Sequence, residues 1–154
     1  MSFTPTAAVR LLALVAVLTV ISIAPASAVS TSTYEKQVVQ ATNSYRAAQG
    51  KVAVKLQKCV DRWANGQATW MAKHKSLAHR NGRLLKIMKD CHLTGASENI
   101  AWNYSTGRKA VAAWAASPGH ATNMRASSMR YIGVGVARAS NGEVYVAQVF
   151  GTRK

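Results

Sequence analysis

Between residues 34 and 49 the apolar side chains Tyr34, Val38, Ala41, Tyr45 and Ala48 recur at steps of three and four, the spacing of one helix face. Thr33 stands where an N-cap belongs, and Gly50 supplies a stop. The same period runs over 56–75 through Leu56, Cys59, Val60, Trp63, Ala64, Gln67, Trp70 and Met71, predicting a second helix whose tryptophans are core. After a loop around His79, the residues Leu84, Leu85, Ile87 and Met88 suit a short helical turn that carries Cys91 back toward that helix. Residues 97–102 are short and mixed enough for a strand. Helical periodicity resumes over 106–116 through Val111 and Trp114, until Pro118-Gly119 ends it and leaves a loop. The period then drops to two: strands over 131–139 and 143–151 flank Asn141-Gly142, the most favourable short hairpin turn. No internal repeat or low-complexity segment interrupts this order, so helices and an antiparallel sheet must share one core. The fold class is α+β.

The first 28 residues do not fit that core. One basic residue, Arg10, precedes an apolar run over 11–23, then a helix-breaking Pro25 and a small-residue site at Ala26-Ser27-Ala28, the pattern of a secretory signal peptide. The run is short for a membrane span. Cleavage would leave a flexible lead-in over 29–33 and one domain over 34–154, long enough for a real core and too short for two.

Charge narrows the partners. The chain carries a net +15 and five acidic residues, Glu35, Asp61, Asp90, Glu98 and Glu143; losing the leader removes only Arg10. Such a surface favours polyanions, meaning anionic lipid headgroups or phosphate-rich polymers outside a cell. The cations are scattered and no nucleic-acid signature interleaves aromatics with them, which argues against specific nucleic-acid recognition. Two cysteines, Cys59 and Cys91, an even count in an exported chain, predict a disulfide worth about 3.5 kcal/mol by chain entropy. There is no CxxC, so no cysteine-rich metal or redox site is expected.

Candidate chemistry gathers around Glu98, one of few acids, in a segment whose neighbours Ala96, Ile100, Ala101 and Trp102 predict burial. A buried carboxylate needs partners. His79 and His120, both read as loop residues, are the candidates, with Gly119 allowing close backbone approach beside His120. Two imidazoles and a carboxylate could make a His₂Glu zinc site with an open position, or a hydrogen-bonded cluster that only satisfies the carboxylate. His74 and His92 fit no motif and are expected to be exposed. Asn99 and Asn123 are placed to tie loop backbone together; Gln148 could face the cavity or solvent. Ser97 and Ser117 lie near the histidines, yet neither has a GxSxG context, and so few acids leave little material for a Ser-His-Asp triad.

The ordered set Leu77-Ala78-His79-Arg80, Ser97-Glu98-Asn99-Ile100-Ala101-Trp102, Ser117-Pro118-Gly119-His120-Ala121-Thr122-Asn123-Met124, Ile132-Gly133-Val134-Gly135-Val136 and Val146-Ala147-Gln148-Val149-Phe150-Gly151 resembles the CAP superfamily of cysteine-rich secretory proteins, antigen 5 and PR-1, in its bacterial single-domain form. The resemblance runs from about Tyr34 to Gly151. It implies a three-layer α-β-α sandwich with the C-terminal hairpin in the sheet, and a cavity of two histidines and two acids that holds a divalent metal in several members. His79 and Glu98 match that pattern, and His120 belongs to the bacterial SPGH motif. The family's late Gly-His-Tyr-Thr-Gln element becomes Tyr145-Val146-Ala147-Gln148, which keeps Gln148 and lacks the histidine; the second acid has no counterpart.

The resemblance implies extracellular roles that include lipid or sterol binding, defence and toxin activity. The expectation is a secreted, monomeric, non-enzymatic binding protein for lipidic or anionic wall or host partners, with zinc or another divalent metal as the candidate cofactor. The alternatives are a metal-dependent hydrolase using His79, Glu98 and His120, and a cationic wall-associated or antimicrobial protein.

Overall fold

The computed structural model describes residues 29–153; the expected leader lies outside the described residues. Helix α1 (Thr31–Ala48) is capped by Ser30, whose hydroxyl accepts from the Thr33 N–H at 3.2 Å. Residues 31–33 are therefore its first turn rather than a flexible lead-in. Its buried stripe is Tyr34, Val38, Thr42 and Arg46, with Ala41 and Tyr45 packed on the flank. Two polar residues thus hold positions that apolar periodicity assigns to their neighbours, because each finds a partner across the core.

A two-residue strand, β1 (Lys55–Leu56), takes Leu56 out of the predicted second helix and leaves it exposed. Helix α2 (Lys58–His74) starts instead at Gln57, whose side-chain oxygen accepts from the Val60 N–H at 2.8 Å. It buries Val60, Ala64, Gln67, Ala68, Met71 and Ala72. Trp63 and Trp70 are half-buried rather than core: the guanidinium of Arg83 lies 4.8 Å from the ring centre of Trp63, and that of Arg80 lies 5.3 Å from that of Trp70. Helix α3 (Arg83–Asp90) returns Cys91 to α2, where it is bridged to Cys59 with Cα atoms 5.6 Å apart.

Next come β2 (Gly95–Trp102), α4 (Gly107–Ala116), α5 (Pro118–Arg125), β3 (Met129–Arg138) and β4 (Val144–Thr152). Pro118 ends α4 as expected but then opens α5, since proline at N1 loses only an N–H that has no helical acceptor. His120 therefore sits on a helix and not in a loop. Gly119 would meet nothing within 4 Å of an added Cβ, so close approach is not its role. The hairpin turn spans 139–142, with Gly142 at φ 84 donating to the Ala139 carbonyl at 2.9 Å. It is longer than a two-residue Asn-Gly turn, and only its glycine takes the left-handed conformation.

The four strands lie in the order β1-β3-β4-β2, with β1 parallel to β3 and the other neighbours antiparallel. Along β3, Ile132, Val134 and Val136 enter one core with Tyr34, Val38, Trp114 and Phe150. The alternate residues Gly133 and Gly135 face α2, whose backbone at Val60-Asp61 and Ala64-Asn65 occupies the space a Cβ would need. Period-two alternation of branched side chains and glycine thus packs helices on both faces. The result is the α-β-α sandwich, with α1, α4 and α5 on one face and α2 and α3 on the other. Side chains cover the sheet edges: Asp61 accepts from the Val134 N–H at 3.1 Å, Trp114 donates to the Ile100 carbonyl at 2.9 Å and Asn123 to that of Glu98 at 3.3 Å. No helix among the described residues is long and apolar enough to cross a membrane.

Candidate functional site

Alternation along β2 sends Glu98 and Ile100 toward the α2 and α3 layer, and Ser97 and Asn99 toward the α5 layer. Glu98 is buried, its side chain 3% exposed, and both oxygens are occupied: the His79 Nδ1–H donates to Oε1 at 2.8 Å and the Arg83 Nε–H to Oε2 at 3.4 Å. Arg83 is itself buried, stacked on Trp63 and donating to the Trp63 carbonyl. Burial lowers its pKa and the Glu98 charge raises it in opposition. The carboxylate is thus neutralised from inside the protein, as a buried charge requires.

The loop leading to Arg83 is clamped in the same manner. Gln67 donates to the Ala78 carbonyl at 2.7 Å and accepts from Arg80 Nε at 2.9 Å, while Arg80 lies over Trp70. His79 projects from this loop with its side chain 57% exposed. Helix α3 begins at Gly82, which has φ 69 and no side chain to cap the first turn. The N–H groups of Leu84 and Leu85 have no acceptor among the described residues. A cleft of about 470 Å³ opens here, lined by His79, Arg80, Arg83, Leu85, Glu98 and Asn123. With Glu98 neutralised, it presents hydrogen-bond donors and positive potential, including the positive end of α3.

The other expected residues fall elsewhere. Asn99 and Gln148 are buried on the opposite face of the sheet from Glu98 and are linked to the half-buried Asn123 at the cleft edge: Asn123 Nδ2 donates to Asn99 Oδ1 at 2.8 Å, Asn99 Nδ2 to Gln148 Oε1 at 2.9 Å, and Gln148 Nε2 to Thr42 Oγ1 at 2.7 Å. Asn99 also donates to the His120 carbonyl at 3.2 Å, so both asparagines tie helix α5 to strand β2. Gln148 faces neither the Glu98 cleft nor solvent. His120 sits close enough to His79 to feel its charge, which together with the larger effect of burial lowers its pKa. Its Nδ1 lies 3.0 Å from Ser117 Oγ. Ser97 Oγ is buried without a partner. His74 and His92 are exposed.

A divalent metal would need several such donors together. Among the described residues no group of three or more His, Cys, Asp or Glu side chains is placed to hold one. His79 and Glu98 supply two donors, with Arg83 already facing the second Glu98 oxygen, while His120 bonds Ser117 through Nδ1 and keeps Nε2 available. Two grouped donors fall short of the three protein ligands of a catalytic zinc site.

Sequence reasoning missed Arg80, Arg83 and Gln67. With 20 lysines and arginines in the chain, nothing marks two of them. The available signal was the pair of tryptophans seven residues apart on one helix face, each a stacking surface for a cation.

Over residues 39–150 the chain matches the CAP cysteine-rich secretory protein family, and it belongs to that family. It is 30% identical over 127 residues to the uncharacterized protein YkwD of Bacillus subtilis, a match covering 79% of this chain and 49% of YkwD; the chain spans about half the length of that relative. Among solved structures it is similar to an outer surface protein of Borrelia burgdorferi, with a TM-score of 0.69 at 18% identity, covering 77% of this chain and 92% of that one. It is also similar to an extracellular SCP-domain protein of Bacillus anthracis, with a TM-score of 0.67 at 21% identity, covering 80% of this chain and 41% of that one.

Proposed function

We propose that this CAP domain is an extracellular binding protein that holds an anionic group of its partner in the cleft beside Glu98. The expected leader and the extracellular or outer-surface character of its structural relatives support export. The observation that carries the binding reading is the uncapped first turn of α3, opening into the same cleft as Arg80 and His79. Free N–H groups at a helix start, with a guanidinium beside them, suit phosphate or carboxylate oxygens.

The same geometry favours binding over hydrolysis. A general base needs a lone pair directed at a substrate, and both Glu98 oxygens are engaged by protein donors. It also separates a cleft ligand from adhesion through scattered surface cations, which salt screens more strongly than a partly buried contact.

Calorimetric titration with inorganic pyrophosphate, at low salt and at about 0.5 M NaCl, tests this reading. The expected result is one saturable site that persists at high salt and is weakened about tenfold by Arg80→Gln. Binding that disappears at high salt, or that Arg80→Gln leaves unchanged, would assign anion capture to the general surface charge.

A further inference from the structure

A second depression lies further along β2. It measures about 320 Å³ and is lined by Leu77, Trp102, Tyr104, Trp114, Ser117 and His120, among others. The same three segments build both spaces. Leu77 lies two residues before His79 on the loop, Ile100 two after Glu98 on one face of β2, and His120 three before Asn123 on one face of α5. On β2 and α5 these steps are same-face intervals, so the two spaces follow one another along the same edge of the sheet. The coupling of His120 to the His79 charge agrees with that proximity.

The two spaces differ in chemistry. The first offers Arg80, His79 and the start of α3. The second offers two aromatic side chains at the surface, Trp102 45% and Tyr104 37% exposed, with the polar Ser117 and His120 at its side. The aromatics are held by their backbone. Asn103 between them is at φ 62 and its N–H donates to the Val144 carbonyl at 2.7 Å, while Tyr34 OH donates to the Tyr104 carbonyl at 3.1 Å. A backbone held in place before a ligand arrives lowers the ordering cost of this segment on binding.

We propose that this second space is a sugar-binding subsite and that the two spaces together take a carboxylate-bearing glycan, its rings on Trp102 and Tyr104 and its carboxylate at Arg80 and the start of α3. The assignment rests on the anion-binding reading of the cleft and names the ligand class. A pyranose ring has one apolar C–H face and a rim of hydroxyls, so it gains from covering an aromatic surface on one side while staying wet on the other. An acyl chain against half-exposed rings would leave much of its own surface in water. A polyol phosphate has the charge but no ring face to stack.

The probes are the carboxylated disaccharide N-acetylglucosaminyl-N-acetylmuramic acid, neutral chitobiose and inorganic pyrophosphate, titrated calorimetrically into wild type, Trp102→Ala, Tyr104→Ala and Arg80→Gln after melting curves confirm folding. The carboxylated disaccharide should bind more tightly than chitobiose. Trp102→Ala should weaken it about tenfold and leave pyrophosphate within about twofold, whereas Arg80→Gln should weaken both. Disaccharide affinity that both aromatic variants leave unchanged would overturn the subsite while the cleft reading stands. Loss of pyrophosphate binding alone, with disaccharide binding still dependent on Trp102, would overturn the cleft reading and keep the sugar surface. Binding of sodium laurate, dependent on Trp102, with no disaccharide binding would replace the glycan with an acyl ligand.

Discussion

Asn99 and Gln148 face each other across β2 and β4 as register partners, and the Asn99 amide donates to the Gln148 side-chain oxygen at 2.9 Å. Both are fully buried. The Asn of the Glu98-Asn99-Ile100-Ala101 motif therefore serves the sheet and α5 and not the cleft on the other face, although adjacent letters suggest a shared site. Asn99→Leu strands the Gln148 oxygen and takes one of two acceptors from the Asn123 amide, and a buried polar group without a partner costs about 1–3 kcal/mol. Urea unfolding should show a loss of about 2–4 kcal/mol, and the Asn99→Leu, Gln148→Leu double variant should lose less than the two single losses combined. Additive losses would mean that the two amides do not form one network.

Arg46 is fully buried and forms no ion pair among the described residues. Its guanidinium donates to the carbonyls of Val52 at 2.8 Å, Met124 at 2.6 Å, Ala126 at 3.0 Å and Met129 at 3.4 Å, joining α1 to the end of α5 and the start of β3. Carbonyls at a helix C-terminus carry the negative end of its dipole, which serves in place of a counter-ion. Lysine keeps the charge but lacks the planar fork that reaches several acceptors at once. Arg46→Lys should lower unfolding free energy by about 3 kcal/mol, read by chemical denaturation. A loss below about 1 kcal/mol would show that water or loop movement replaces these contacts.

What the sequence made legible followed from local periodicity. The main helices, β2 and the hairpin strands lie near their predicted places because apolar spacing sets which face is covered. The hidden parts depend on partners distant in sequence. Thr42 and Arg46 look like surface positions until Gln148 and the segment after α5 reach them. Pro118 reads as a terminator because the same residue that stops one helix is favoured at the first position of the next. At the site, the pairing of His79 with Glu98 was readable from burial and scarcity of acid. Arg83 was not, since its role comes from a loop clamp that Gln67, Trp63 and Trp70 create only after folding.

His120 should report on pH. Its pKa is lowered first by burial and second by the His79 charge, with Ser117 the polar neighbour at Nδ1. The unfolded chain then binds this proton more readily than the folded one. Its contribution to stability is fully present above the ordinary histidine value of about 6.5 and is lost as pH falls through the lowered value. Melting temperature should fall between neutral and mildly acidic pH, and His120→Gln should reduce that slope. An NMR titration of the His120 ring should still show the lowered midpoint in about 1 M salt, where screening removes most of the His79 contribution and leaves burial. A midpoint restored to the ordinary value by salt would reverse the order of the two causes.

Arg83 occupies the carboxylate that a divalent metal would need. The Arg83 guanidinium already faces Glu98 Oε2 at 3.4 Å, and His79 holds Oε1 at 2.8 Å. A metal entering there would bring a second positive charge beside a buried cation, with repulsion that a low-dielectric setting strengthens. Calorimetric titration of wild type with zinc at neutral pH should therefore show no stoichiometric site. Arg83→Met, which keeps most of the apolar contact with Trp63 and removes the charge, should bind zinc more tightly than wild type, and adding His79→Ala should abolish that gain. One tightly held zinc in wild type that Glu98→Gln removes would instead show that Arg83 yields its place, and would return Glu98 to the role of metal ligand.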